Sequence, residues 1–265
     1  ISQLMMILAV LPLVFIEVLE VNWVMISLLT LHNTFVAISD IAIDALAADS
    51  LKEDQLAKAN GFMWGSKTLG RGLGMALATS VFYAYGVNEG FAILICTMSL
   101  ILLLPILSKE LNYKAGHEAQ LYKNRLTFNE LVLGIRQSMF NPSAFAAIIF
   151  MLFANIGYGI FDVIYNEFYI KELGWNGEEI GHMRPYGMWL GGLIGLSAGL
   201  MTLYFRKRSL LLFFVIGQAV VFLTASTLSY ETSILLTSAV LIGVDAVDAG
   251  WSVLIFSILM ALCIT

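Results

Sequence analysis

Residues 22–49, NWVMISLLTLHNTFVAISDIAIDALAAD, and 58–86, KANGFMWGSKTLGRGLGMALATSVFYAYG, decide the fold between them. Each is long enough to cross a bilayer, which takes about 20 predominantly apolar residues in a helix. They are separated by a short, charged turn. Working outward, similar apolar stretches fall at residues 3–16, 90–108, 143–170, 183–205, 209–229 and 232–263, giving eight candidate spans. Short polar connectors separate most of them, around 17–22, 86–89, 174–181 and 229–232. Composition agrees: of 265 residues 59% are hydrophobic and 12% charged, with a mean hydropathy of +0.85. A soluble domain carries about 25% charged residues, so a soluble enzyme is excluded, as is a disordered chain. The reading is an all-α, polytopic membrane helical bundle.

Orientation follows from the basic residues, since Lys and Arg flanking the spans set topology while acids contribute little. Lys52, Lys58, Lys67, Arg71, Lys109, Lys114, Lys123, Arg125, Arg136, Arg206, Lys207 and Arg208 fall on or toward one side, and only Lys171 and Arg184 toward the other. The first side is therefore expected to be cytoplasmic, as is the one long connector. That connector, 109–141, places Leu121, Leu126, Phe128, Leu131, Val132 and Ile135 among charges. The pattern suits either an interfacial amphipathic helix or a solvated linker. It divides the chain into 1–108, a four-span part of an N-terminal bundle, and 142–265, the corresponding part of a C-terminal bundle. Two helical bundles on a cytoplasmic linker is a common construction of secondary transporters. The chain starts and stops inside apolar runs, so it reads as a piece of a longer protein.

The chemical information lies in charges that lipid would penalise. Asp40 and Asp44 share one helical face, and Lys67 and Arg71 share one on the next span. At about 3 kcal/mol apiece near the bilayer centre, these four would cost about 12 kcal/mol if exposed to lipid. Counting outward from the turn near Lys52 sets Asp40 level with Lys67, so the two helices can pair charges. Such a clamp is either purely structural or also a gate and substrate contact. On the fifth span Asn155, Tyr158, Asp162, Tyr165, Asn166 and Tyr169 recur at three- and four-residue steps, a polar aromatic stripe expected to face a wet cavity. Arg184 and His182, opening the sixth span, are candidate partners for Asp162. Asp245 and Asp248 lie three apart in the last span with no basic residue after Arg208. Two acids that close in a low dielectric do not both ionise readily, which makes them candidates for carrying a proton.

Other motifs carry less. Gly195-Leu196-Ser197-Ala198-Gly199 matches a serine-hydrolase pattern, but it lies mid-helix with no histidine after His182. Gly191, Gly195 and Gly199, and the pairs Gly61/Gly65 and Gly70/Gly74, read as small-residue packing seams. His32, His117 and His182 are scattered, without metal-ligand spacing. Cys96 and Cys263 sit in apolar runs as small hydrophobes. Arg206-Lys207-Arg208 anchors topology or meets anionic headgroups. No cofactor, metal or nucleic acid is expected, and no catalytic set.

The stretch Ser39-Asp40-Ile41-Ala42-Ile43-Asp44-Ala45, followed by Ala59-Asn60-Gly61 and a glycine-rich helix, resembles the fourth and fifth helices of AmpG-type permeases, in the peptide and acetyl-coenzyme A transporter branch of the major facilitator superfamily. Further similarities follow in order: Gly159-Ile160-Phe161-Asp162 to the seventh helix, Leu173-Gly174-Trp175 and Glu179-Ile180-Gly181 before Arg184 and Gly187 of the eighth, and Leu259-Met260-Ala261-Leu262-Cys263 at the end of the tenth. The resemblance implies helices three to ten of a twelve-helix fold. It implies proton-coupled symport of muropeptides by alternating access, in a monomeric carrier of the bacterial inner membrane. On it, Asp40 and Asp44 match paired acids, Lys67 a following base and Asp162 a seventh-helix acid. The Asp245/Asp248 pair and Arg71 depart from the pattern, which leaves another peptide, a sugar-peptide or an acyl-coenzyme A open as solute. The expected partners are a small solute, protons and the lipid bilayer. The alternative function is a receptor or scaffold of transporter shape, without flux.

Overall fold

The computed structural model describes residues 1–15, 23–50, 53–107, 133–134, 136, 140, 142–154 and 156–264. Among these the regular structure is all helical, with no strand. In order it forms α1 (Ser2–Val10), a 3-10 turn (Leu11–Val14), α2 (Trp23–Ser50), α3 (Glu53–Tyr85) and α4 (Val87–Leu107). Then come α5 (Pro142–Ala154), α6 (Ile156–Lys171), α7 (Gly177–Met201), α8 (Lys207–Ala225) and α9 (Ile234–Ile264). The amphipathic reading of the 109–141 connector, and Asn155, lie outside the described residues apart from the isolated helical positions Leu133, Gly134, Arg136 and Phe140.

Several boundaries differ from the hydropathy reading, each for a local reason. The first span, expected as one run over 3–16, changes at Leu11 into a 3-10 turn with Pro12 in its opening positions, where a ring without N–H costs least. The expected connector 86–89 contracts to Gly86 alone, whose φ of 125° lets the chain reverse at once into α4. The sixth span was expected from 183, with 174–181 as a polar connector. Instead α7 starts at Gly177, because Asn176 accepts from the Glu179 backbone N–H at 2.8 Å while the Glu179 carboxylate accepts from Asn176 N–H, also at 2.8 Å. This capping box satisfies two donors that a helix start otherwise leaves bare. Polarity there marks a helix start, not a gap.

Among the described residues four helices have segments long and apolar enough to cross a membrane: Trp23–Asp44, Val87–Leu104, Lys207–Ala225 and Ile234–Ser257. The first two of these segments are unburied by the rest of the protein. They expose Ile38, Ile41, Leu100 and Leu104, and the α2 hydroxyls of Thr30 and Thr34 donate to carbonyls of their own helix, so this surface suits lipid. The bundle is an integral, multi-pass one.

α3 and α7 are less apolar because glycine, not bulk, joins them. They pack antiparallel along their length. Gly61 meets Gly199, Gly65 meets Gly192 and Leu196, Gly72 meets Met188 and Trp189, Thr79 meets Gly181, and Tyr83 meets Gly177. A Cβ on Gly61 would come 2.8 Å from the Gly199 Cα, and one on Gly65 2.8 Å from the Gly192 carbonyl oxygen. Backbones this close gain dispersion contacts that lipid cannot match. α9 lies beside α7 in parallel, with Gly187 against Ile242, Gly191 against Asp245 and Ala249, and Gly195 against Val253. α8 closes the far side of α9, its Phe214 filling the space over Gly250.

Two buried clusters bracket the middle of this group. One gathers Phe161, Tyr165, Tyr169, Leu173, Trp175, Ile180 and Val244. The other, toward the Met201 end of α7, gathers Ala198, Leu210, Phe214, Trp251 and Leu254.

Candidate functional site

Between those clusters, α6, α7 and α9 converge on Arg184. Only 4% of it is exposed. Its Nε donates to Asp245 Oδ2 at 3.3 Å, and its Nη2 donates to Asp162 and, at 3.2 Å, to the Tyr158 hydroxyl. Tyr158 in turn donates to Asp245 Oδ1 at 2.9 Å. The guanidinium carbon lies 4.0 Å from the centroid of the Tyr165 ring, a cation–π contact. One fork thus ties three helices and carries two carboxylates, a geometry that suits arginine and that lysine cannot copy. Pro185 follows directly and removes one helical hydrogen bond beside the cluster.

The two carboxylates differ in setting. Asp245 is 5% exposed, whereas the Asp162 side chain is 43% exposed. Asp245 is a fixed counter-charge; Asp162 holds Arg184 from the open side. With Asp248 one turn along α9, the cluster has more acid than base. Asp248 lies within electrostatic reach of Asp245, Asp162 and Arg71, close to Ser252, while its Oδ1 is buried without a hydrogen-bond partner among the described residues.

A second charge group joins α2 to α3. Lys67 Nζ donates to Asp40 Oδ2 at 2.5 Å, and the same ammonium sits 5.4 Å over the Trp64 ring. Asp44, one turn along α2, is in reach of both Asp40 and Lys67. Asn60, Trp64, Lys67 and Arg71 form one stripe on α3, since steps of four, three and four residues return to one helical face. At its lower end the stripe meets α9 directly. Asn60, 1% exposed, donates from Nδ2 to the Val253 carbonyl at 3.1 Å and to Ser257 Oγ at 3.4 Å, and the Trp64 ring packs tilted against Phe256 with centroids 5.0 Å apart.

The structure therefore brings the residues singled out from sequence into two clusters and a link. Tyr158, Asp162, Tyr165, Arg184 and Asp245 form one, Asp40 and Lys67 the other with Asp44 beside them, and Arg71 and Asp248 stand between. Asn155 lies outside the described residues. Two expectations need correction. His182 does not join Asp162: it faces Glu178 at 3.7 Å, along a cleft of about 300 Å³ lined also by Trp175, Glu179 and Met183, because it lies two residues from Arg184 and so on another helix face. Tyr169 does not face a wet cavity: it is fully buried and donates to the Thr237 carbonyl at 2.8 Å. Asn166, on the same expected stripe, is exposed outside the cluster. The reading from sequence gave Asn60 no role of its own. Its signal was its place on the Trp64, Lys67 and Arg71 face. Asp245 also finds a cation on another helix, which a count along α9 alone could not supply.

Comparison with known proteins adds one match. A family model described as Major Facilitator Superfamily matches residues 1–264. No curated protein and no solved structure matches the chain.

Proposed function

The chain belongs to the Major Facilitator Superfamily, whose members are secondary membrane transporters, and from that premise we propose that it is a proton-coupled symporter working by alternating access. We read residues 1–108 and 142–265 as its two half-bundles, joined by the 109–141 connector, and the side flanked by Arg206, Lys207 and Arg208 as cytoplasmic. Its solute is a muropeptide-like or related amphipathic molecule, and its setting a bacterial inner membrane. Substrate and coupling rest on the resemblance of the 39–45, 59–61 and 159–162 segments together with the site chemistry, and the fold itself rests on the family.

One observation supports the coupling: Asp248, one turn from the Arg184–Asp245 ion pair, keeps a buried oxygen with no hydrogen-bond partner among the described residues. A carboxylate that makes no ion pair among the described residues, in a low-dielectric setting, is a place where a proton replaces a counter-ion. Binding and release of that proton then bias the equilibrium between states open to either side, by as much as the two states differ in proton affinity. The α3–α7 glycine seam keeps the halves in contact, while the Asn60–Val253 and Trp64–Phe256 contacts between α3 and α9 are side-chain contacts that can part.

Uptake into proteoliposomes under an imposed pH gradient tests this reading, with the cell-wall sugar-peptide, a free peptide and an acyl-coenzyme A offered in turn. Gradient-driven accumulation of one of them, abolished in Asp248→Asn, is expected. Accumulation that ignores the gradient, or that survives both Asp245→Asn and Asp248→Asn, removes the coupling.

A further inference from the structure

Among the described residues three cations lie in the interiors of α3 and α7: Lys67, Arg71 and Arg184. Arg184 is engaged by Asp162, Asp245 and Tyr158 and lies over the Tyr165 ring. Lys67 is taken by Asp40 and Trp64. Among the described residues Arg71 makes no ion pair, although it lies on the same α3 face, one turn beyond Lys67. Below it α3 and α9 touch through Asn60, Val253, Trp64 and Phe256. One turn beyond Lys67, Arg71 lies within electrostatic reach of Asp248 but makes no ion pair with it among the described residues. Arg71 itself is exposed, while the Asp248 carboxylate is half-buried and keeps one enclosed oxygen with no hydrogen-bond partner among the described residues.

A lone guanidinium inside a span is costly toward lipid and belongs in a polar space. Its planar fork matches the two oxygens of a carboxylate or phosphate, and such charge-assisted pairs are the stronger class of hydrogen bond. We propose that Arg71 is the seat of the solute's anionic group, a carboxylate or a phosphate, with Asp248 as the charge from which the solute draws it. The assignment rests on the transport reading and narrows it: the solute carries an anionic group at the end that meets α3, and a neutral amide or ester of the same skeleton is rejected.

The test uses the whole chain purified in detergent, its thermal unfolding followed at matched ionic strength with N-acetylalanine, N-acetylalaninamide and glycerol phosphate as probes. At least one anion raises the midpoint of the wild type, and the amide does not. Arg71→Gln weakens apparent anion affinity about tenfold or more, the loss of one charge-assisted contact. Arg71→Lys, which keeps the charge and so the fold, falls between. A stronger response to N-acetylalanine assigns a carboxylate, and a stronger one to glycerol phosphate a phosphate. No anion response in the wild type, an equal response to the amide, or an Arg71→Lys protein that binds like the wild type overturns the proposal. Flux separates the two readings: a protein that binds anions through Arg71 but accumulates nothing under a pH gradient loses the coupled-transport reading and keeps the anion seat.

Discussion

Replacing Arg184 by methionine removes the only cation that touches Asp245 among the described residues, leaving a carboxylate that is 5% exposed with Tyr158 as its hydrogen-bond donor and Asp248 as a like charge nearby. Stripping one partner from a buried ion pair costs about 3–5 kcal/mol, because the remaining charge is neither hydrated nor compensated. A second substitution discriminates. Arg184→Met with Asp245→Leu removes the stranded charge and refills its volume, at the cost of orphaning the Tyr158 hydroxyl, about 1–2 kcal/mol. The double variant should then recover about 2 kcal/mol of the single variant's loss. Arg184→Met with Asp162→Leu behaves otherwise. The Asp162 side chain is 43% exposed, so water rescues it once Arg184 is gone, and the recovery should stay below about 1 kcal/mol. The assay is reversible unfolding of the purified chain in mixed micelles, comparing wild type, Arg184→Met and both doubles. Equal recovery in the two doubles, or a larger one with Asp162→Leu, would refute the view that Asp245 is the fixed counter-charge and Asp162 the accessible one.

Gly61→Ala forces a methyl to within 2.8 Å of the Gly199 Cα and should cost about 1–3 kcal/mol in the same assay. Gly70→Ala and Gly74→Ala meet nothing within 4 Å and should stabilise by about 0.5–1 kcal/mol; a destabilised Gly74→Ala would show that the seam has been assigned to the wrong face. Asn176→Ala removes the capping box of α7 and should lower stability by about 0.5–2 kcal/mol while leaving solute selectivity alone, as read by uptake competition. Tyr169→Phe loses one buried hydrogen bond to Thr237, about 1 kcal/mol, with uptake kinetics unchanged. A kinetic defect there would return Tyr169 to the solute path.

The expected Asp40–Lys67 pairing shows how far sequence can reach. Both residues lie on one hairpin, so counting residues from its turn fixes their relative depth, and helix periodicity fixes their facing. The same arithmetic separates two glycine patterns poorly. Gly61/Gly65 and Gly70/Gly74 look alike as spacings, yet only the first pair touches α7. The second lies on a face whose neighbour, or absence of one, no local count reveals. The α7 start was misplaced for a related reason: Asn176 to Glu179 is polar in composition but helical in its hydrogen bonds.

By itself the sequence determined the class of the molecule, a polytopic helical bundle, because apolar length and the cost of bare backbone in lipid leave a chain of this composition few choices. It also determined which side chains are too costly to face acyl chains. The partner of each was decided by tertiary structure. Arg184 reaches Asp245 across 61 residues of sequence, and Asn60 reaches Val253 across 193, because α7 and α9 run in parallel while α3 lies antiparallel against α7. Helix periodicity says which way a residue points; only the packing of helix on helix says what stands opposite.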